Sequence, residues 1–256
     1  MKLIVTDLDE TLLRFDGTIS SYTVDVFNRC REKGILTAFA SDRSERDMAS
    51  MIEALHPDAV ISNGGTIVRL RGEIIWECLL AAEETKAILT SIRCFTKGEG
   101  WITVETPDGT YCNYTPWNKA RRATVTQTDF ADFARPAYKI TAILRDDSWA
   151  DEILKDCPFC ETVSFTGEDW HRFGPRTGGK AMGVKVLADH VSLPMADVTA
   201  FGDDHNDLGM LEIAGVAVAV ANAIDEVKEI ADYVTAYNDH DGVAKYIEEH
   251  ILKNGT

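Results

Sequence analysis

Short apolar runs alternate with amphipathic stretches near the start of the chain. Three of these runs have the length and composition of buried strands: KLIV (2–5), ILTAFA (35–40) and AVIS (59–62). Residues 22–33 and 45–55, which separate them, carry apolar side chains at helical spacing, and Gly34 follows the first stretch as a stop signal. Strands that alternate with helices predict a parallel sheet covered by helices.

The C-terminal part of the chain repeats this alternation. Its strand-like runs are VTAF (198–201), VAVAV (216–220) and DYVT (232–235). The stretches with helical character are 179–190, 206–213, 224–230 and 241–252. A hairpin is also predicted around Arg71 and Gly72, directly after the third strand of the N-terminal part.

Residues 81–176 have a different character. They hold four of the five tryptophans and five of the seven prolines, and their strand-like segments alternate between polar and apolar residues. Helices are predicted near 82–95 and 148–155. We therefore predict an α/β fold in which a doubly wound parallel sheet, formed by residues 1–80 and 177–256, carries an inserted α+β domain at 81–176.

Charge and hydropathy exclude several classes of partner. The net charge of −16 disfavours nucleic acid and anionic membrane surfaces. The apolar run after Met1 meets Asp7 too early to form the core of a signal peptide, and no run is long enough to cross a bilayer. A cytoplasmic protein is expected, and its oligomeric state is not indicated.

Cys157 and Cys160 form a CxxC pair, for which a redox role and half of a zinc site are the functional alternatives. Zinc normally requires a second pair nearby, and a thioredoxin-like pair would open a helix. Here the pair follows a predicted helix and precedes a predicted strand. We interpret it as two structural thiols at a helix-to-strand corner.

Polar residues follow the predicted strands where ligands of an open parallel sheet bind. Carboxylates, a hydroxyl and an amine would converge there: Asp7, Asp9 and Glu10, then Ser41 and Asp42, then Asp203, Asp204, Asn206 and Asp207, with Lys180 at a helix start. Crowded carboxylates need a divalent cation, and their hard oxygens select Mg²⁺. One carboxylate can attack phosphorus, a second can move a proton, and the hydroxyl and amine can hold phosphoryl oxygens.

The same residues carry a family resemblance. DLDETL (7–12), ASDR (40–43), GGK (178–180) and GDDHND (202–207) resemble the four motifs of the haloacid dehalogenase superfamily of phosphotransferases. The similarity is closest to the Cof-type, sucrose-phosphatase-like sugar-phosphatase branch, whose α/β cap lies between the second and third motifs. SNGG (62–65), VANA (220–223) and NDHDGVAKYIEE (238–249) resemble further stretches of that branch.

The resemblance implies roles for the acidic residues. Asp7 corresponds to the nucleophile and a Mg²⁺ ligand, and Asp9 to the general acid/base, whose backbone carbonyl also binds the metal. Asp203 corresponds to the third protein ligand, Asp207 supports it, and Thr11 braces the loop. The implied function is hydrolysis of a small phosphorylated metabolite through an aspartyl-phosphate.

Phosphate binding is implied for Ser41, the backbone N–H of Asp42, Lys180 and Asn206. Two departures from the branch occur. Its second motif often reads Thr-Gly-Arg, whereas Ser41-Asp42-Arg43 adds a negative charge, so we expect the Asp42 side chain to point away from the phosphate. Glycines precede Lys180, so the hydroxyl that usually stands before this lysine is missing.

Two alternatives stay open. A phosphomutase would use the same aspartates to move phosphate between two sugar hydroxyls, and a phospho-Asp receiver or non-catalytic metabolite sensor would not turn over. The sequence does not name the substrate. Its candidate contacts in the inserted domain are Trp101, Trp117, Arg121, Arg122, Trp170 and His171.

Overall fold

A computed structural model describes residues 2–116 and 122–253. The chain divides into two compact units, Met1–Glu77 with Lys180–Thr256, and Cys78–Gly179. The borders expected from the sequence lay at 80/81 and 176/177. Within the described ranges, no helix is long and apolar enough to span a membrane.

The first unit is built on an eight-stranded sheet, counted over the described residues, with the order β14-β13-β12-β1-β2-β3-β4-β5. Its strands are β1 (Leu3–Thr6), β2 (Leu36–Ala40), β3 (Ala59–Ser62), β4 (Ile67–Leu70), β5 (Glu73–Glu77), β12 (Val198–Gly202), β13 (Val216–Ala219) and β14 (Tyr233–Val234). Neighbouring strands from β14 to β3 run parallel, and β4 and β5 add the expected antiparallel hairpin. The predicted α/β fold with a parallel core is confirmed.

The register of the central strands determines where the polar loops leave the sheet. Thr6, at the end of β1, lies opposite Phe201 of β12 and Phe39 of β2. The residues that follow these three strands therefore emerge at the same edge. β1 itself is fully buried, because Leu3, Ile4 and Val5 pack on both faces into the core.

The helices of the first unit follow the predicted apolar stretches. They are α1 (Ser21–Glu32), α2 (Ala49–Leu55), α5 (Lys180–His190), α6 (Leu208–Ile213), α7 (Asp225–Ile230) and α8 (Gly242–Tyr246). Ser20 caps α1 by accepting a hydrogen bond from the backbone N–H of Thr23 at 3.0 Å. Two predicted helices are less regular than expected, because 45–55 begins with a 3₁₀ turn (Glu45–Met48) and α8 continues as a π-helix (Ile247–Leu252).

The second unit has a sheet with the order β10-β11-β9-β6-β7-β8. Its strands are β6 (Ile102–Thr106), β7 (Gly109–Cys112), β8 (Val125–Gln127), β9 (Lys139–Ile143), β10 (Cys160–Ser164) and β11 (Trp170–Pro175), and its helices include α3 (Ala82–Thr96) and α4 (Ser148–Asp156). The pairings are antiparallel except for β7 with β8. This antiparallel sheet with its helices agrees with the α+β character predicted for residues 81–176.

The sequence pattern missed β8 and β11. β11 reads WHRFGP, which lacks apolar alternation and contains Gly174 and Pro175. It nevertheless forms an interior strand, because β9 and β10 pair with it on either side. Cross-strand pairing, which the local sequence does not encode, outweighs the weak strand propensity.

Candidate active site

Asp7 emerges from β1 into a buried position at the edge of the sheet. Its backbone N–H donates to the carbonyl of Phe201 at 3.0 Å, which extends the pairing of β1 with β12 by one residue. The hydroxyl of Thr6 donates to the Asp7 carbonyl at 2.7 Å. The side chain of Asp7 is almost fully buried, so the local backbone holds a carboxylate where solvent cannot stabilise its charge.

Asp7 is joined there by two carboxylates from the loop after β12. One oxygen from each of Asp7, Asp203 and Asp207 lies within 4.8 Å of the others, and all three residues are buried. Lys180, at the start of α5, places its Nζ 2.7 Å from Asp7 Oδ1 and 2.7 Å from Asp207 Oδ1. The structure thus brings together residues that are far apart in sequence.

Hydrogen bonds hold the second acidic loop in place. Thr11 donates a very short hydrogen bond to Asp203 Oδ1. Asp207 Oδ2 accepts from the backbone N–H of Asp203 at 2.9 Å and from that of Asp204 at 3.3 Å. Thr11 therefore connects the loop after β1 to the loop after β12, and Asp207 orders the turn that presents Asp203.

The cluster carries more negative than positive charge. Burial raises the pKa of Asp7 well above its usual value, despite the opposing effect of Lys180. Burial, followed by the charge of Asp207, raises the pKa of Asp203 to about 8, and burial also raises the pKa of Asp207. Burial would lower the pKa of Lys180, but the neighbouring carboxylates together outweigh this effect and raise it, so Lys180 remains protonated.

This donor set fits a hard divalent cation. Asp7, Asp203 and Asp207 offer closely spaced carboxylate oxygens, and Lys180 supplies a single positive charge against them. The pKa values of these carboxyls are raised because too little positive charge lies near their ionised forms to offset burial. A cation bound among these oxygens would supply that positive charge, and oxygen ligands of this type suit Mg²⁺.

Asp9 does not join the buried carboxylates. Its side chain is 52% exposed and forms an ion pair with Arg43, with Arg43 Nε 2.8 Å from Asp9 Oδ2 and Arg43 Nη2 2.5 Å from Asp9 Oδ1. The third carboxylate of the cluster belongs instead to Asp207, for which the resemblance implied only a supporting role. The assignment of Asp9 as general acid/base stays a prediction.

The loop after β2 lies against the loop after β12. Ser41 is buried, and its Oγ accepts from the backbone N–H of Arg43 at 3.1 Å. Asn206 donates from Nδ2 to Asp42 Oδ2 at 2.7 Å. The expectation that the Asp42 side chain points away from the site is wrong, because this hydrogen bond turns its carboxylate toward Asn206 and its charge helps to raise the pKa of Lys180.

Sequence reasoning missed the residues that support the loop after β1. Asn222 donates to the carbonyl of Glu10 at 2.6 Å, and Asn238 donates to that of Leu13 at 2.9 Å. Both asparagines lie in stretches, VANA and NDHDGVAKYIEE, that the sequence marked by resemblance alone. Their side-chain amides satisfy loop carbonyls that no strand or helix pairs, which is a tertiary role without a local signal.

Several candidate substrate contacts lie in the second unit. Trp101 is exposed and stacks on Tyr114 with ring centroids 5.0 Å apart, and the ring of Trp170 lies 6.4 Å from that of Tyr114. His171 is buried, with Nε2 3.3 Å from Asp147 Oδ1. Arg122 donates from Nε to the carbonyl of Pro116 at 2.5 Å. Trp117 and Arg121 lie outside the described residues.

The CxxC pair sits at the expected corner between α4 and β10. Both Cys157 and Cys160 are buried and free of disulfide bonds. Burial raises the pKa of Cys157, and raises that of Cys160 to about 12. A redox-active thiol requires the opposite shift, so this environment supports the structural interpretation.

The chain is similar in sequence to a family of hydrolases and to named phosphatases. A family model described as haloacid dehalogenase-like hydrolase matches residues 4–247. The chain is 27% identical to 5-amino-6-(5-phospho-D-ribitylamino)uracil phosphatase YwtE of Bacillus subtilis, over 97% of this chain and 98% of the relative. It is 26% identical to the HMP-PP phosphatase of Cronobacter sakazakii, over 91% of this chain and 94% of the relative.

The fold is also similar to that of solved structures. The HAD subclass IIB sugar phosphatase BT4131 superposes with a TM-score of 0.84 at 23% identity, covering 97% of this chain and 98% of the other. The family predicted from the four motifs and the predicted class of enzyme are both confirmed. Because the family model covers nearly the whole chain, the protein belongs to the haloacid dehalogenase-like hydrolases, and both curated relatives described above are named phosphatases.

Proposed function

We propose that the chain is a Mg²⁺-dependent phosphatase of small phosphorylated metabolites that works through a phosphorylated Asp7. The observation that carries this proposal is the buried contact of Asp7 with Lys180, Asp203 and Asp207. Lys180 holds one oxygen of Asp7, and this fixes the orientation of the carboxylate for attack on phosphorus.

In the first step an oxygen of Asp7 attacks phosphorus, and the bond from phosphorus to the ester oxygen breaks. Asp9 donates a proton to that oxygen, so the product leaves as a neutral alcohol. Asp9 is paired with Arg43 in this structure, so it leaves the guanidinium and takes up a proton from solvent before it reaches the leaving group. As charge develops on the phosphoryl oxygens, they are bound by Ser41, the backbone N–H of Asp42, Lys180 and Asn206.

In the second step water attacks the phosphorus of phospho-Asp7, and Asp9 takes up the water proton. The bond from phosphorus to the Asp7 oxygen breaks, which releases inorganic phosphate and restores both carboxyl groups to their starting states. Asp7, Asp203 and the backbone carbonyl of Asp9 would hold Mg²⁺, while Asp207 supports the turn that presents Asp203. The bound ion would supply positive charge that offsets the carboxylates and the phosphoryl oxygens.

The relatives support a small phosphorylated metabolite as substrate without naming one. One is named for a phosphoribitylamino-uracil and another for HMP-PP, which are different substrates within one family. We propose that the unit Cys78–Gly179 supplies this choice of substrate. Substitution of the exposed Trp101 is then expected to change the relative rates on different metabolites while leaving the requirement for Mg²⁺ intact.

The test is release of phosphate from para-nitrophenyl phosphate by metal-stripped protein, with and without added Mg²⁺. We expect activity to depend on Mg²⁺ and to vanish in Asp7→Asn. Asp16→Asn, a change of an exposed carboxylate in the same unit, is the matched control and should keep full activity. Equal activity of folded Asp7→Asn and wild-type protein would refute the nucleophile assignment.

The same assay separates the alternatives. A phosphomutase needs a bisphosphorylated sugar as primer and releases little free phosphate, and a receiver or sensor would show no turnover even at high enzyme concentration. A screen of phosphorylated metabolites with detection of inorganic phosphate then identifies the substrate. One strong hit would define a specialised enzyme, and many weak hits a generalist.

A further inference from the structure

Asp42 places a carboxylate within the group of residues that we propose to bind phosphate. Its Oδ2 accepts a hydrogen bond of 2.7 Å from the side-chain amide of Asn206, a residue on the loop after β12. Asp42 is not among the described residues with positive φ, so a residue with a side chain is accommodated there without backbone strain. The backbone therefore accepts an aspartate at this position, and its carboxylate adds a negative charge beside the proposed phosphate site.

The carboxylate of Asp42 lies beside groups that we propose to bind phosphate. It follows Ser41 directly in the chain and contacts the Asn206 amide at 2.7 Å. A carboxylate that contacts one phosphate-binding group is close enough to repel an anion bound by that group. Phosphate monoesters and inorganic phosphate carry up to two negative charges near neutral pH.

The hydrogen bond to Asn206 has a second consequence. The amide nitrogen donates one hydrogen to Asp42, which leaves its other hydrogen to donate elsewhere. The Asn206 Oδ1 is buried without a hydrogen-bond partner among the described residues. Asp42 therefore determines that the Nδ2 of Asn206, and not its Oδ1, faces the loop after β2. An amide in the opposite orientation would present its oxygen to a bound phosphate and repel it.

We propose that Asp42 is a specificity-determining and positioning residue, which orients the Asn206 amide and weakens the binding of phosphate dianions. This inference rests on the proposed function. Because substrate and product share the phosphate group, the carboxylate raises KM and also speeds the release of inorganic phosphate. The site is thereby set for turnover with little product inhibition.

The experiment compares wild-type protein with Asp42→Asn and Asp42→Gly in the presence of Mg²⁺. Asp42→Asn removes the charge but keeps an oxygen that can accept from Asn206, whereas Asp42→Gly removes both. Asp25→Asn, on the exposed side of α1, changes net charge by the same amount and is the matched control. The measurements are KM and kcat with para-nitrophenyl phosphate, and the Kd of inorganic phosphate by calorimetry.

For Asp42→Asn we expect KM and the phosphate Kd to fall together by about 3- to 30-fold, with kcat changed by less than about twofold. For Asp42→Gly we expect a smaller fall in the phosphate Kd and a lower kcat than in Asp42→Asn, because Asn206 loses the acceptor that orients its amide. Asp25→Asn should match wild type. Thermal melting establishes that each variant is folded, and Asp42→Ser replaces any variant that is not.

A phosphate Kd that is unchanged or higher in folded Asp42→Asn would overturn the inference. The experiment distinguishes failure of the proposed phosphatase function from failure of the proposed role of Asp42. If wild-type protein shows no Mg²⁺-dependent hydrolysis, the proposed function fails, but calorimetry still measures the effect of Asp42 on phosphate binding. If wild-type protein hydrolyses the ester and the charge-removing variant binds phosphate no more tightly, only the role of Asp42 fails.

Discussion

The guanidinium of Arg43 donates two hydrogen bonds to the carboxylate of Asp9, from Nε to Oδ2 at 2.8 Å and from Nη2 to Oδ1 at 2.5 Å. The pair lies at the surface, where such contacts contribute about 0–1 kcal/mol and open readily. Asp9 is thus held near the buried acidic cluster without being part of it. A residue in this position can exchange protons with solvent and swing toward a substrate, as a general acid/base requires.

Asp9→Asn tests that role. We expect kcat to fall by about 10²- to 10⁴-fold for an alkyl phosphate, whose leaving oxygen needs a proton. The fall should be much smaller for para-nitrophenyl phosphate, because nitrophenolate leaves without being protonated. The free energy of unfolding should change by less than about 1 kcal/mol, since the lost ion pair is exposed. Glu10→Gln, a neighbouring exposed carboxylate, is the control. Equal losses on both substrates would contradict proton donation to the leaving group.

Lys180→Met should destabilise the protein strongly. The change leaves Asp7 and Asp207 buried without their cation, and breaking a buried pair in this way costs about 3–5 kcal/mol. Urea unfolding measures the loss. Lys185→Met, on the exposed side of the same helix α5, should be nearly neutral. If the loss comes from uncompensated charge, the double variant Lys180→Met/Asp207→Asn should be more stable than Lys180→Met alone.

The acidic cluster makes stability depend on pH and metal. Asp203 has a pKa raised to about 8 in the folded protein, against about 4 when unfolded. The folded state therefore binds this proton more tightly, and the group destabilises the fold increasingly as pH rises from about 4 to about 8. We expect metal-free protein to melt at a lower temperature at about pH 8 than at about pH 6.

Mg²⁺ should offset the destabilising charge of ionised Asp203. The rise in melting temperature on adding Mg²⁺ should therefore be larger at the higher pH. Asp203→Asn should abolish most of the Mg²⁺ effect and flatten the pH dependence. A metal-induced shift that is equal at both pH values would show that the ionisation of this cluster is not coupled to binding.

Gly202 leaves room for Asp207 at the end of β12. A Cβ at position 202 would lie 2.5 Å from the Asp207 Cβ and 2.7 Å from its Cγ, which no packed structure tolerates. We expect Gly202→Ala to displace Asp207, lower stability by about 1–3 kcal/mol and weaken the Mg²⁺-induced thermal shift. Gly209→Ala, whose Cβ would meet only the Ala181 Cβ at 3.4 Å, is the control and should preserve both properties.

Much of the fold could be predicted from the sequence alone. The apolar runs LIV (3–5) and AVIS (59–62) bury every side chain, and their local composition is sufficient to predict this. β11 could not be predicted, because WHRFGP is a strand only through its neighbours β9 and β10. The regular helix expected over 45–55 begins instead as a 3₁₀ turn capped by Ser44, a difference at a boundary where local patterns are least informative.

The sequence by itself determined the family, the fold class and the set of polar residues that follow the strands, because motif spacing and strand length are local properties. Only the tertiary structure decided which of those residues contact one another. It placed Asp207 beside Asp7 and Asp203, paired Asp9 with Arg43 and turned Asp42 toward Asn206. These contacts join loops from separate strands, and their geometry follows from sheet register and burial, which no single segment of the chain contains.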